Sequence, residues 1–220
     1  MYNWNIKYLK NNQREYQKKG NLITLLPEIS IEYSPLILLT GPSGSGKSTI
    51  AFELEKINPI FKKVKTCTTR APRDEEKDND PYNRFTKSEF EAQIKMGFFY
   101  EYAIYNDNYY GTRKIDIESL SNHIPVLSLE KIGAENIKKN PPKNFTPIDF
   151  FINTLNKKTL KSYHLNRCPD PAKIKERFEF SIKNDIPHIL ETHYIIINQP
   201  NKLAECCTVI HNIVIPHFHP

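Results

Sequence analysis

The chain has 220 residues, 39% of them hydrophobic and 25% charged, with a formal net charge of +6. That length supports one compact domain with an ample core, and no apolar run approaches the roughly 18 residues that a membrane-spanning helix needs. The positive balance suits polyanionic ligands; without a basic block interleaved with aromatics around a binding motif, it does not point to nucleic acid.

Residues 1–34 are polar without periodicity, with Asn3, Asn5, Asn11, Asn12 and Gln13 set among lysines and tyrosines. They read as an amino-terminal extension that is either partly disordered or packed on the core by Ile29, Ile31 and Tyr33. No charged start leads into an apolar block, so no secretory signal and a cytoplasmic setting are expected.

Leu36–Thr40 is predicted as a strand, and G-P-S-G-S-G-K-S follows it directly at residues 41–48. This matches the phosphate-binding pattern G-x-x-x-x-G-K-[ST]. Gly41, Gly44 and Gly46 let the backbone turn its N–H groups inward around a phosphate chain, with Pro42, Ser43 and Ser45 between them. Lys47 can reach β/γ oxygens as a mobile charge, and the Ser48 hydroxyl is short enough to bind a bridging Mg²⁺. Ser48–Ile57 is predicted as a helix on the stripe Ile50, Leu54 and Ile57; Thr49 lies in its first turn, and its positive end faces the phosphates. The loop therefore predicts Mg-nucleotide binding.

Farther on, Thr86-Lys87-Ser88-Glu89 has capping-box spacing and opens a helix that stops at Gly97. Strands are predicted at Ile124–Leu129, Ile148–Ile152 and Tyr194–Asn198, and helices at Gly133–Lys139, Thr154–Tyr163 and Pro171–Lys183, the last with Asp170 as N-cap. This alternation is the pattern of a βα-layered fold. Cys67, Cys168, Cys206 and Cys207 lack C-x-x-C spacing and are expected to be buried or half-buried thiols, not a metal site.

Four segments between these elements narrow the reading. Thr66-Cys67-Thr68-Thr69-Arg70-Ala71-Pro72-Arg73 sets two arginines three residues apart among hydroxyls, and Tyr82 follows. Gly97-Phe98-Phe99-Tyr100-Glu101 and Asn108-Tyr109-Tyr110-Gly111-Thr112 come next. In order and spacing these resemble the guanylate kinase family over about residues 35–215. The resemblance implies an α/β fold, the three-layer P-loop kinase architecture with a parallel core sheet. It also implies a smaller mixed α/β monophosphate-binding subdomain at about 66–123 and a mobile lid at about 161–173.

It further implies residue roles. Arg70 and Arg73, with Tyr82 and Tyr110, would clamp the GMP phosphate, a task suited to planar guanidinium forks and phenol hydroxyls. Glu101 would read guanine, whose N1–H and N2–H donors lie side by side where adenine has no such pair. Thr66 and Thr112 would lie near guanine O6, and Glu130 would also accept from the base. Arg167 and Arg177 would stabilise transferring charge beside Lys47 and Arg70, and Asn198 would lie near the adenine of ATP.

The chain departs from the family pattern in places. Ser128 and Glu130 replace two aspartates at a strand end, Cys168-Pro169 replaces a Gly-Thr pair, and Tyr163 replaces an arginine; slower turnover and altered base selectivity would follow. The implied activity is transfer of the γ-phosphoryl group of Mg-ATP to GMP, and to dGMP, in purine nucleotide metabolism. Two rivals share the fold: a kinase for a ribosyl phosphate, and a non-catalytic module binding phosphopeptide through Arg70 and Arg73. The small-molecule partners expected are ATP and GMP, with no membrane and no nucleic acid.

Overall fold

The apolar runs of the sequence form the middle of a seven-stranded sheet in a computed structural model, which describes residues 3–72, 82–105, 107–165 and 171–218. In chain order its elements begin with α1 (Trp4–Asn11), β1 (Tyr16–Lys19), β2 (Leu22–Leu25), β3 (Ser34–Thr40), α2 (Lys47–Ile57) and β4 (Phe61–Lys63). A second sheet is built from β5 (Thr66–Thr68), β6 (Tyr82–Arg84), β7 (Phe99–Tyr105) and β8 (Asn108–Arg113), with α3 (Lys87–Lys95) between β6 and β7. Then come α4 (Lys114–Glu118), β9 (Ile124–Ser128), α5 (Lys131–Lys139), β10 (Phe145–Asn153), α6 (Lys157–Leu165), α7 (Pro171–Phe180), β11 (Tyr194–Ile197) and α8 (Leu203–Val214).

The large sheet runs β1-β2-β11-β10-β3-β9-β4, parallel from β11 to β4 and antiparallel at the β1–β2 edge. Strand alternation explains its two covered faces. Ile37 and Leu39 of β3 pack with Ile50, Ala51 and Leu54 of α2 and with Cys206, Cys207 and Ile210 of α8. Leu36 and Leu38 point the other way, toward Ala134 and Ile137 of α5. Fully burying Ile50 and Leu54 is worth about 2 kcal/mol each, which fixes α2, and with it the loop at 41–46, to the sheet.

Residues 3–34 are structured, and the packed alternative is the one found. β2 pairs with β11, while Trp4 and Leu9 of α1 and Ile23 and Leu25 of β2 share a core with Phe151, Leu160, Ile195 and Ile197. The Trp4 indole N–H donates to Thr154 O at 2.7 Å, and Asn5 Nδ2 donates to the same carbonyl at 3.1 Å. The expected anchors serve in part: Ile29 and Ile31 pack against the core, but Tyr33 is exposed. The apolar anchors of α1, Trp4 and Leu9, are five residues apart in a polar stretch, too sparse to show as a helical stripe.

Three other differences have local causes. Asn156 accepts from Thr159 N at 2.9 Å, so α6 starts three residues later than expected. The helix from Pro171 stays α-helical only to Phe180, becomes a π turn at Ser181–Asp185, and ends as a 3₁₀ turn at Ile186–Leu190 where Pro187 removes a donor. Helix α8 had no prediction, although its stripe Cys206, Cys207, Ile210 and Val214 has helical spacing.

Candidate active site

The loop between β3 and α2 takes the shape its glycines allow. Gly46 is left-handed, with φ 101°, and an added Cβ would stand 2.4 Å from Asn198 Nδ2; at Gly41 it would stand 2.2 Å from Ile152 O. Asn198 is buried and donates from Nδ2 to Ser45 O at 2.8 Å, bolting the loop to the end of β11. Lys47 Nζ donates to the carbonyls of Gly41, at 2.6 Å, and Pro42, at 3.1 Å. Those oxygens hold the ammonium over the loop, where phosphate oxygens can take their place.

Helix α2 starts at Gly46 with no side-chain cap, so its first amides are left for a ligand. Ser43, Ser48 and Thr49 are exposed around that end. Ser45 Oγ is buried without a hydrogen-bond partner among the described residues. Such an orphaned hydroxyl beside a glycine cradle fits an anionic nucleotide and its Mg²⁺.

The small sheet carries the second half of the site. Phe90 of α3 is fully buried there, stacked on Phe99 at 4.4 Å and on Tyr109 at 5.1 Å. A capping box starts α3 as expected: Thr86 Oγ1 accepts from Glu89 N, and Glu89 Oε2 accepts from Thr86 N.

On this support, Arg70, Tyr82 and Tyr110 come together. The Tyr82 and Tyr110 rings meet edge-on with centroids 6.1 Å apart, and the Arg70 guanidinium lies 5.6 Å from the Tyr82 ring centre. The sequence reading missed Arg84, whose guanidinium lies 5.1 Å from the Tyr82 ring centre and donates to Arg70 O. Its signal was available: Arg84 is two residues beyond Tyr82, so one strand of three residues carries both. Arg73 and Arg167 lie outside the described residues, as does the side chain of Arg177, whose backbone is in α7.

Glu101 sits on β7 directly after an irregularity between Phe99 and Glu101, opposite Thr112 on β8. It is 6% exposed, and Thr112 Oγ1 donates to its Oε1 at 2.7 Å. A Cβ at position 133 would stand 2.8 Å from the other oxygen, so Gly133 lets the first turn of α5 close against the carboxylate. Burial pushes Glu101 up to about 7, against the opposing pull of its bonds to Thr112. Thr112 therefore orients the carboxylate here, and its proton is already committed. Thr66 is half-buried on β5 as the register partner of Tyr82.

Glu130 is exposed at the junction of β9 and α5, one turn before Ala134. Ser128 ends β9 beside Leu39, the penultimate residue of β3. A second residue unforeseen in the sequence is Asp185, buried in the π turn. Burial raises its carboxyl to about 6, helped by the charge of Glu130 and opposed by that of Lys47 and a bond from Ser181. It thus joins the electrostatic field of the phosphate loop from a distant part of the chain, which no local motif could signal.

Cys67, Cys206 and Cys207 are buried free thiols, raised by burial to about 12, 11 and 12. Such thiols are inert at neutral pH; Cys168 lies outside the described residues.

Comparison with known proteins identifies the family. The protein-family model described as "Guanylate kinase" matches residues 33–215. The guanylate kinase of Helicobacter pylori (strain 26695) is 34% identical over 166 residues, covering 74% of this chain and 79% of that protein. That of Rickettsia felis is 36% identical over 183 residues, covering 82% and 92%; that of Clostridioides difficile (strain 630) is 36% identical over 172 residues, covering 77% and 82%. The crystal structure of guanylate kinase from Anaplasma phagocytophilum superposes with a TM-score of 0.65 at 20% identity, over 86% of this chain and 88% of that one, which speaks for the fold. With the glycine cradle, the Arg70–Tyr82–Tyr110 cluster and the buried Glu101 in one chain whose family match spans nearly all of it, the chain belongs to the guanylate kinase family.

Proposed function

We infer that the chain transfers the γ-phosphoryl group of ATP to GMP, giving ADP and GDP. The observation that carries this reading is Glu101: a buried carboxylate held on one oxygen by Thr112, with no cation paired to it in any described contact. Guanine offers two adjacent N–H donors to such a group, and adenine would leave it unsatisfied.

The remaining roles follow from placement. Lys47, now held by the Gly41 and Pro42 carbonyls, moves to the β/γ oxygens of ATP, and the amides of the loop and α2 bind the chain of phosphates. Asn198 contributes through the loop's shape. Ser48 is positioned to hold the Mg²⁺ that accompanies ATP, an ion that neutralises charge on the transferring group. Asp185, within the electrostatic reach of Lys47 and Glu130, would add a carboxylate near the phosphate loop.

Arg70 and Tyr110, with Tyr82 as the ring on which Arg70 rests, bind the acceptor phosphate; Arg84 holds the Arg70 backbone. Arg73, Arg167 and Arg177 complete the charge around the two phosphates, and Glu130 accepts from the base. The division into a domain at 35–215, an acceptor subdomain at 66–123 and a lid at 161–173 gives this arrangement its moving parts. An anionic phosphate is the nucleophile, so no general base is required. Catalysis comes from alignment and charge neutralisation in a site that excludes water.

Equilibrium binding of GMP and AMP to the wild type and to Glu101→Gln at pH 8 tests the reading. The expected result is a strong preference for GMP in the wild type, reduced by about a hundredfold in the variant. An unchanged preference would remove Glu101 from base recognition.

A further inference from the structure

Away from the substrate pockets, one buried side chain is held ready for a ligand. His188 sits in the 3₁₀ turn after α7 and is 1% exposed. Its Nε2 is 2.9 Å from Asp149 Oδ2. Asp149 is fully buried and also accepts from Thr40 Oγ1 at 2.7 Å and Lys138 Nζ at 3.0 Å, which fixes the carboxylate against the ring. Nδ1, the other ring nitrogen, has no hydrogen-bond partner among the described residues.

Two carboxylates lie close to this ring. Glu135 Oε1, from α5, is 3.8 Å from His188 Nδ1, and one ligand atom each from Glu135, His188 and Glu191 all lie within 4.8 Å of one another. Lys131 Nζ now stands near both carboxylates, 3.4 Å from Glu135 and 3.6 Å from Glu191. A carboxylate on one imidazole nitrogen and open donors at the other is the arrangement by which proteins fix a histidine for a metal.

We propose that Glu135, His188 and Glu191 form a binding site for a divalent transition cation, zinc being the best match. One imidazole and two carboxylates suit zinc better than magnesium, which prefers oxygen ligands alone. Bonds of about 2.0–2.2 Å put tetrahedral donors roughly 3.5 Å apart, so closing the site takes modest rotations of the two glutamates. Lys131 leaves as the ion enters, because the dication replaces its charge. The ion ties α5, whose Gly133 backs the Glu101 carboxylate, to the turn that ends the segment after α7.

The test is calorimetric titration of the full-length, chelator-treated protein with zinc chloride in excess magnesium, alongside Glu191→Gln, Glu135→Gln and Lys131→Met. Glu191 is half-exposed, so its replacement leaves the fold intact. The site predicts one zinc per chain, binding weakened about tenfold or more in each glutamine variant and tightened in Lys131→Met. A zinc-dependent rise in melting temperature is expected in the wild type and not in Glu191→Gln. No stoichiometric binding, or binding that Glu191→Gln leaves unchanged, overturns the proposal; the latter would place the ion on the thiols or on other histidines.

Discussion

Glu101 concentrates the conflict between stability and function in this molecule. Its carboxyl is raised to about 7 by burial, so the folded state prefers it protonated, while the guanine-reading role proposed for it needs it ionised. The stability of the protonated form is fully present below the unfolded value of about 4.3 and is lost as pH rises through about 7. Glu101→Gln, which does not titrate, should therefore be more stable than the wild type at pH 8 by up to about 3 kcal/mol. Denaturant unfolding at pH 4 and pH 8 measures this; a penalty that does not grow with pH would contradict the assigned burial cost. Binding has the opposite sign. GMP affinity should climb as pH rises through about 7, by about tenfold per unit below that point, and AMP, with the same phosphate, should show no such climb. Lys47 belongs to the same scale. Its ammonium touches only loop carbonyls and no core side chain in the described contacts, so Lys47→Ala should lower turnover by about a thousandfold or more with little change in melting temperature.

At the scale of elements, the phosphate loop was legible because its chemistry is local. Strand β3, the glycines and α2 are contiguous, and the helix begins one residue earlier than its apolar stripe suggests, at Lys47. The candidate guanine pocket was legible only through the order of its motifs, since Glu101 and Thr112 are brought together by pairing of β7 with β8. Asp185 and the Asp149 cluster were not legible, because their partners are distant in sequence, whereas Arg84 shares a three-residue strand with Tyr82. Asp149 of β10 accepts from Thr40 of β3 at 2.7 Å, Lys138 of α5 at 3.0 Å and the His188 turn. It therefore staples four elements. Asp149→Ala should leave His188 and Lys138 without their buried partner and cost about 3–5 kcal/mol. A loss under about 1 kcal/mol in urea unfolding would show that water replaces the carboxylate.

For the whole molecule, the polar character of residues 1–34 is misleading about their importance. They contribute the β1–β2 edge of the sheet and seat Trp4 and Leu9 over Ile195 and Ile197. Removing them would open an edge of β11 and an apolar face together. A chain starting at residue 34 should aggregate or melt far below the full-length protein in a thermal scan; equal melting temperatures would mean that the extension is an ornament on a self-sufficient fold. No helix among the described residues is long and apolar enough to cross a membrane.

The central claim is the transfer of phosphate from ATP to GMP by the loop at 41–48 under the base selectivity of Glu101. Its most direct test is ADP release from Mg-ATP by the purified full-length chain with GMP, AMP, CMP and UMP in turn, with Lys47→Ala alongside. The account predicts rapid release with GMP alone and almost none from the variant. Turnover that ignores the base, or that survives the loss of Lys47, would contradict it.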